Sequence, residues 1–222
     1  MSGKGNMLSD SVWQNFMQQK RLSVHQQEQF EIYLMFLQEE NSKYNLTALE
    51  KKEDIINYHF LDSLVLADAV KMKEVRSLAD VGSGAGFPGI PLKIMYPHLQ
   101  ITLIEVSEKK QAFLHMLVQK LSLADVDVCG YDWRTFLRKN TAHVDLFCAR
   151  ASLHTDELLR MFSPSCKYQT SCLVYWASKN WQPGEHEKQY NTEIYEYFIG
   201  NKERKLVFFS KDHPVFYAKG EL

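Results

Sequence analysis

Leu78-Ala79-Asp80-Val81-Gly82-Ser83-Gly84-Ala85-Gly86-Phe87-Pro88-Gly89-Ile90-Pro91 is a short apolar run interrupted near its end by an acid, followed by four glycines within eight residues. An amphipathic run opening Leu92-Lys93-Ile94 comes next. That order reads as strand, tight loop, helix. Glycines let the main chain turn with positive φ and let a ligand touch it closely. Pro88 and Pro91 fit there because first-turn N–H groups of a helix have no intrahelical partners.

The loop is not a dinucleotide fingerprint. That pattern is G-x-G-x-x-G, and Phe87 stands at its third glycine position. The pattern here is D-x-G-x-G-x-G, with Asp80 two residues ahead of the first glycine. A carboxylate at a strand end repels a pyrophosphate and attracts a cation. A second apolar run, Ile101-Thr102-Leu103-Ile104, ends in Glu105, and an acid in that place can accept from both ribose hydroxyls. Acid, glycine loop and second acid together suit S-adenosylmethionine, which carries a ribose, an adenine, a sulfonium and an amino-acid end. The competing reading is a glycine-rich structural turn with Glu105 as a solvated acid at a helix start.

The 222 residues allow one substantial domain with a small appendage. Hydrophobic content of 45% and charged content of 24% are those of a globular chain. No apolar run is long enough to span a bilayer. Met1-Ser2-Gly3-Lys4-Gly5 leads into no apolar segment, so no secretory signal is expected. Cys129, Cys148, Cys166 and Cys172 lack C-x-x-C spacing and lie in or beside apolar stretches. Reduced, buried thiols in a cytoplasmic protein are therefore expected, without metal. Net charge is −1; a chain that binds nucleic acid mainly by charge is usually basic. Any RNA contact must then use a local patch or a preformed ribonucleoprotein surface.

Residues 8–45 read as helices. Ser23-Val24-His25-Gln26 is a capping box, and Phe30, Tyr33, Leu34 and Leu37 recur at helical spacing. Asn45-Leu46-Thr47 breaks the pattern, and a third helix is expected over Lys51–Val70. Within it His59 and Asp62 share a face; a hydrogen-bonded pair holding the helix to its neighbours is favoured over a catalytic pair. Strands are expected at 76–81, 101–105, 126–130, 144–149, 171–177, 193–198 and 205–210. Helices are expected at 89–96, 108–122, 133–138 and 153–162, the second capped by Ser107. Such alternation makes a mostly parallel sheet with helices on both faces. Gly200-Asn201-Lys202 reads as a hairpin turn, so the last strand should run antiparallel. Residues 1–72 are expected to form a helical cap and 73–222 an α/β domain.

Ligands of open α/β sheets sit at the carboxyl ends of the strands. That collects Asp80 with the glycine loop, then Glu105, then Tyr131-Asp132-Trp133-Arg134, then Ala149-Arg150-Ala151-Ser152, then Ala177-Ser178-Lys179-Asn180-Trp181.

Asn45-Leu46-Thr47, His59-Phe60-Leu61-Asp62-Ser63, the block from Asp80 to Pro91, Lys109-Lys110 with Phe113-Leu114, and Ala149-Arg150-Ala151 stand in one order along the chain. In that order they closely resemble the bacterial 16S ribosomal RNA guanine-N7 methyltransferases, also called glucose-inhibited division protein B. The resemblance covers about residues 30–210. It implies a class I S-adenosylmethionine-dependent methyltransferase fold, Rossmann-like with seven strands, and an N-terminal helical cap. It further implies methyl transfer to N7 of one guanine in small-subunit ribosomal RNA or its particle. Gly82, Phe87, Trp133, Arg134 and Arg150 would contact the cofactor, with Glu105 at the ribose; the residues themselves add Asp80, Gly84 and Asp132. Two departures stand out: Arg134 replaces a common acid, and Asn180 follows Lys179 where a glycine is usual.

Guanine N7 already carries an in-plane lone pair, so no base is needed and no catalytic residue is assigned. The enzymatic task is alignment. Arg150, Lys179 and Arg204 are candidates to orient phosphate or base. For Arg150 a structural link between strand four and the loop is an even alternative; for Lys179 and Arg204 a solvated surface is slightly favoured. Phe87 and Trp181 offer aromatic faces for an unpaired base, with core packing as the rival use. A monomer is expected. Two other activities stay open: methyl transfer to a small molecule or protein, and cofactor binding without transfer.

Overall fold

Ser77–Val81 forms β1, and all five of its residues are buried. A strand buried on both faces reads as a continuous apolar run and belongs at the centre of a parallel sheet. The computed structural model describes residues 11–211 and places β1 there. The sheet order is β3-β2-β1-β4-β5-β7-β6, with β2 at Gln100–Ile104, β3 at Val126–Cys129, β4 at Leu146–Arg150, β5 at Cys172–Ser178, β6 at Asn191–Ile199 and β7 at Lys202–Ser210. Strands β1 to β5 pair in parallel. β7 runs antiparallel to both β5 and β6, so only the last strand is reversed. All seven expected strands are present. β7 starts three residues early because ladder pairing continues through Lys202, Glu203 and Arg204, and β6 starts two residues early because Asn191 and Thr192 pair with Ser210 and Phe209; no apolar pattern marks either extension.

The helices are α1 (Ser11–Lys20), α2 (Val24–Tyr44), α3 (Lys52–Ile55), α4 (Asp62–Leu64), α5 (Leu66–Ala69), α6 (Gly89–Met95), α7 (Glu108–Lys120), α8 (Trp133–Lys139) and α9 (Thr155–Leu158). Part of the expected 8–45 stretch, residues 8–10, lies outside the described residues. The expected helix over Lys51–Val70 is instead α3, a π-helical turn at Ile56–Leu61, α4 and α5. The 153–162 helix is also divided, α9 giving way to a 3₁₀ turn at Leu159–Phe162. The Ser23 capping box is formed, with Gln26 N–H bonded to Ser23 Oγ and Ser23 N–H to Gln26 Oε1. Ser107 stands at the N-cap of α7, but its side chain makes no cap bond. Its N–H donates to Glu105 Oε1 at 2.9 Å.

Alternate residues divide between two cores. Leu78, Ile101, Leu103, Leu146, Cys148 and Val174 join the side carrying Trp13, Phe16, Phe30, Tyr33 and Phe60. Ala79, Val81, Ile104, Phe147, Ala149 and Leu173 face the other side with Trp133, Phe136 and Tyr168. The period-two alternation of strand side chains produces this partition. Tyr33 reaches from α2 to the glycine loop, its hydroxyl donating to Ala85 O at 2.5 Å. Gln29 Nε2 bonds Leu121 O at 2.9 Å. The cysteines are unpaired, three buried and Cys129 half-buried. Among the described residues no helix is long and apolar enough to cross a membrane.

Candidate functional site

Register assembles the site. Val81 pairs with Ile104 on one side and Ala149 on the other. The next residues, Gly82, Glu105 and Arg150, therefore emerge together at the carboxyl edge of three adjacent strands. Gly82 has φ +71°, and a Cβ there would collide with Ser152 Cβ. Its N–H and that of Ser83 both donate to Ile104 O. Glu105 holds the loop from below, Oε2 accepting from Gly84 N–H at 2.9 Å.

A cleft of about 550 Å³ opens over this edge, lined among others by Gly82, Glu105, Lys110, Asp132, Trp133 and Ser152. Val106 and Tyr131 add exposed apolar walls. Asp132 caps α8 through Thr135 N–H at 2.9 Å, so its carboxylate already has a structural task. The Trp133 side chain is buried, its indole N–H bonded to Glu157 O at 2.8 Å. Arg134 turns to Glu157 as a two-point ion pair of 2.6 and 2.9 Å, and that bonding holds the Glu157 pKa down to about 2.

Other sequence candidates lie elsewhere. Asp80 is fully buried beneath the loop, and Oδ2 accepts from Gly89 N–H at 2.9 Å. Burial pushes its pKa up to about 7. Oδ1 has no partner. Phe87, Gly84 and Arg150 line a neighbouring cavity of about 320 Å³ with Thr47, His59 and Lys202. Gly82, Lys110 and Ala151 line both this cavity and the larger cleft. Phe87 is buried, its ring 4.3 Å from His59 and 5.2 Å from Tyr33, both nearly parallel to it. Arg150 lies 5.2 Å over the same ring.

Among the described residues no side-chain hydrogen bond joins His59 to Asp62, although the Asp62 N–H donates to the His59 carbonyl; Arg150 bridges the side chains. Its guanidinium donates to Asp62 Oδ2 at 3.0 Å, to Tyr58 O at 3.2 Å and to His59 Nδ1 at 3.0 Å. Fully buried Asp62 also accepts from Arg204 at 3.2 Å and from the Tyr197 hydroxyl at 2.7 Å. Burial and the Arg150 charge lower the His59 pKa to about 3, so the ring is neutral near pH 7. Arg150 and Arg204 line a third cavity of about 490 Å³ with exposed Lys179 and Lys202. Trp181 turns away, packing edge-on to Phe209 at 6.0 Å.

The sequence reading assigns no site role to Thr47, Val106, Lys110, Tyr131 or Ser152. Thr47 and Lys110 lie in its motifs and Tyr131 and Ser152 in the strand-end stretches it collects, whereas Val106 carries no sequence signal beyond following Glu105.

Residues 26–207 match the family model GidB, described as rRNA small subunit methyltransferase G. The chain is 43% identical over 148 residues to Ribosomal RNA small subunit methyltransferase G of Bacillus thuringiensis (strain Al Hakam), covering 66% of this chain. The match spans 62% of that relative's length. Among solved structures, a putative O-methyltransferase from Klebsiella pneumoniae superposes with TM-score 0.56 at 11% identity, covering 82% of this chain and 90% of that one. TrmK of M. capricolum, in complex with S-adenosyl-homocysteine, gives 0.54 at 12% identity and covers 68% of each chain. The fold is that of the class I methyltransferases, and the chain belongs to the GidB family, rRNA small subunit methyltransferase G.

Proposed function

We propose that this chain is an S-adenosylmethionine-dependent methyltransferase acting on N7 of a guanine in 16S ribosomal RNA. The observation that carries the reading is the pair of adjoining cavities. One lies over the glycine loop and Glu105, the other beside Phe87, His59 and Arg150, and three residues line both. A donor and an acceptor base need such a shared wall. The M. capricolum neighbour with S-adenosyl-homocysteine supports the choice of cofactor, as do the names of the relatives for the substrate.

The larger cleft fits the cofactor. Ser152 Oγ is buried there without a hydrogen-bond partner among the described residues, and only a hydrogen at Gly82 leaves the space above the loop clear. Gly82 would offer main chain, with Gly84 reaching the cofactor only from the adjoining cavity, Glu105 its remaining lone pairs to the ribose, and Val106 with Tyr131 apolar faces to the adenine. Asp132, Trp133 and Arg134 would edge the adenine mainly through main-chain groups. Asp80 and Phe87 would act from behind, by holding Gly89 and the loop. When bound, the cofactor supplies an electrophilic methyl group on sulfur.

No side chain needs to remove a proton, because guanine N7 presents a lone pair. The residues orient the base and exclude water. Arg150 holds His59, Asp62 and Tyr58 in place, while Lys179 and Arg204 would meet RNA phosphate. In this reading residues 1–72 act as a cap on 73–222, the chain works as a monomer in the cytoplasm, and its partner is 16S ribosomal RNA or the small-subunit particle.

The test is incubation of the full chain with methyl-tritiated S-adenosylmethionine and small-subunit RNA or particles. Label is expected in RNA at a guanine that becomes sensitive to aniline after mild reduction. Label confined to protein or to small molecules would overturn the reading.

A further inference from the structure

A chain of hydrogen bonds with one permitted direction ends at Thr47. Arginine can only donate, so His59 Nδ1, 3.0 Å from the Arg150 guanidinium, must accept. The hydrogen of the neutral ring is then on Nε2. Nε2–H donates to Thr47 Oγ1 at 2.7 Å, and Leu49 N–H donates to the same oxygen at 3.2 Å. A hydroxyl has two acceptor sites and one hydrogen. Both sites are taken, and no acceptor among the described residues takes the hydrogen. Thr47 is half-buried and lines the cavity beside Phe87, His59 and Arg150. Its hydroxyl is thereby fixed as a donor into that space.

We propose that Thr47 Oγ–H donates to O6 of the target guanine and thereby selects guanine over adenine. The inference rests on the function proposed above. N7 and O6 lie side by side on the Hoogsteen edge of guanine, whereas adenine presents an N6 amino donor at the same place. Adenine would set donor against donor, and buried groups left unpaired are what makes polar sites selective. A neutral donor also suits the reaction. N7 gains positive charge as the methyl group arrives, and a cation held against O6 would oppose it. The hydroxyl supplies the bond without that charge.

The experiment measures kcat/KM of the full chain on a synthetic small-subunit RNA fragment, with guanine or 2-aminopurine at the mapped target position. 2-Aminopurine keeps N7 and lacks O6. On guanine RNA, Thr47→Val should lose about tenfold or more, and Thr47→Ser should restore most of it. On 2-aminopurine RNA, wild type and Thr47→Val should be equal within about twofold. Calorimetry should show S-adenosylmethionine binding to Thr47→Val unchanged. Equal wild-type rates on guanine and 2-aminopurine overturn the proposal without any variant. So does a Thr47→Val loss of the same factor on both RNAs, or a Thr47→Ser loss as large as that of Thr47→Val. A wild-type chain that methylates no ribosomal RNA overturns the functional reading itself, and this inference with it.

Discussion

The Arg150 guanidinium lies 3.0 Å from the Asp62 carboxylate and joins the end of β4 to a helix 88 residues earlier in the chain. Asp62 is fully buried, and Arg204 and Tyr197 bond to it as well. One carboxylate, at the C-cap of the π-helical turn, thus ties three strands, β4, β6 and β7, to a single point.

Removing that charge leaves Arg150 and Arg204 facing a neutral group in a dry site. Breaking one partner of a buried ion pair costs about 3–5 kcal/mol. Asp62→Asn should lower stability on that scale in urea unfolding, with kcat on ribosomal RNA reduced in the folded fraction. A stability change below about 1 kcal/mol would contradict the role given to Asp62.

Gly82→Ala should block the larger cleft. Its φ of +71° costs a side-chain residue about 1–2 kcal/mol, and the added Cβ meets Ser152 Cβ. Calorimetry is expected to show S-adenosylmethionine affinity falling at least about tenfold while circular dichroism is kept. Ser152→Gly in the same chain should recover part of the loss, since it removes the clash and leaves the strained φ.

Asp80 and His59 pull pH stability in opposite directions. The folded pKa of Asp80 is raised to about 7 by burial; the folded state holds the proton longer, so its contribution is lost as pH climbs from about 4 to about 7. The folded pKa of His59 is lowered to about 3; the unfolded chain takes up the proton first, so stability rises with pH from about 3 to about 6.5. Asp80→Asn removes the first effect and keeps the second. Melting temperatures at pH 4.5, 5.5 and 6.5 should then climb more steeply than those of the wild type. An identical slope would mean that Asp80 titrates as an ordinary carboxylate.

Arg134→Ala tests whether the lip of the cleft acts through main chain. The Arg134 side chain is 62% exposed and engaged with Glu157. The variant should melt with the wild type, and its affinity for S-adenosylmethionine should change by less than about threefold. A larger loss would place the guanidinium itself on the cofactor.

Local pattern carried the reading of the elements. Each expected strand exists because buried β-segments have their own short-range signature of apolar residues closed by turns, and Ser23 with Gln26 forms its cap because both partners lie within one turn. The loop at Gly82 was legible because glycine spacing reports backbone conformation directly. Ser107 shows the limit of such local signals: its N-cap position is as expected, but its side chain makes no cap bond.

What the sequence determined alone was therefore the order of strands and helices, the glycine turn, and which strand ends could carry polar groups. Tertiary structure decided how those groups are shared. It buried Asp80 under Gly89, drew Arg150 toward His59 and Asp62, and set Thr47 Oγ between His59 and Leu49 at the wall of a cavity. Those bonds join residues scattered along the chain, and only the closed sheet with its packed helices brings their atoms within reach.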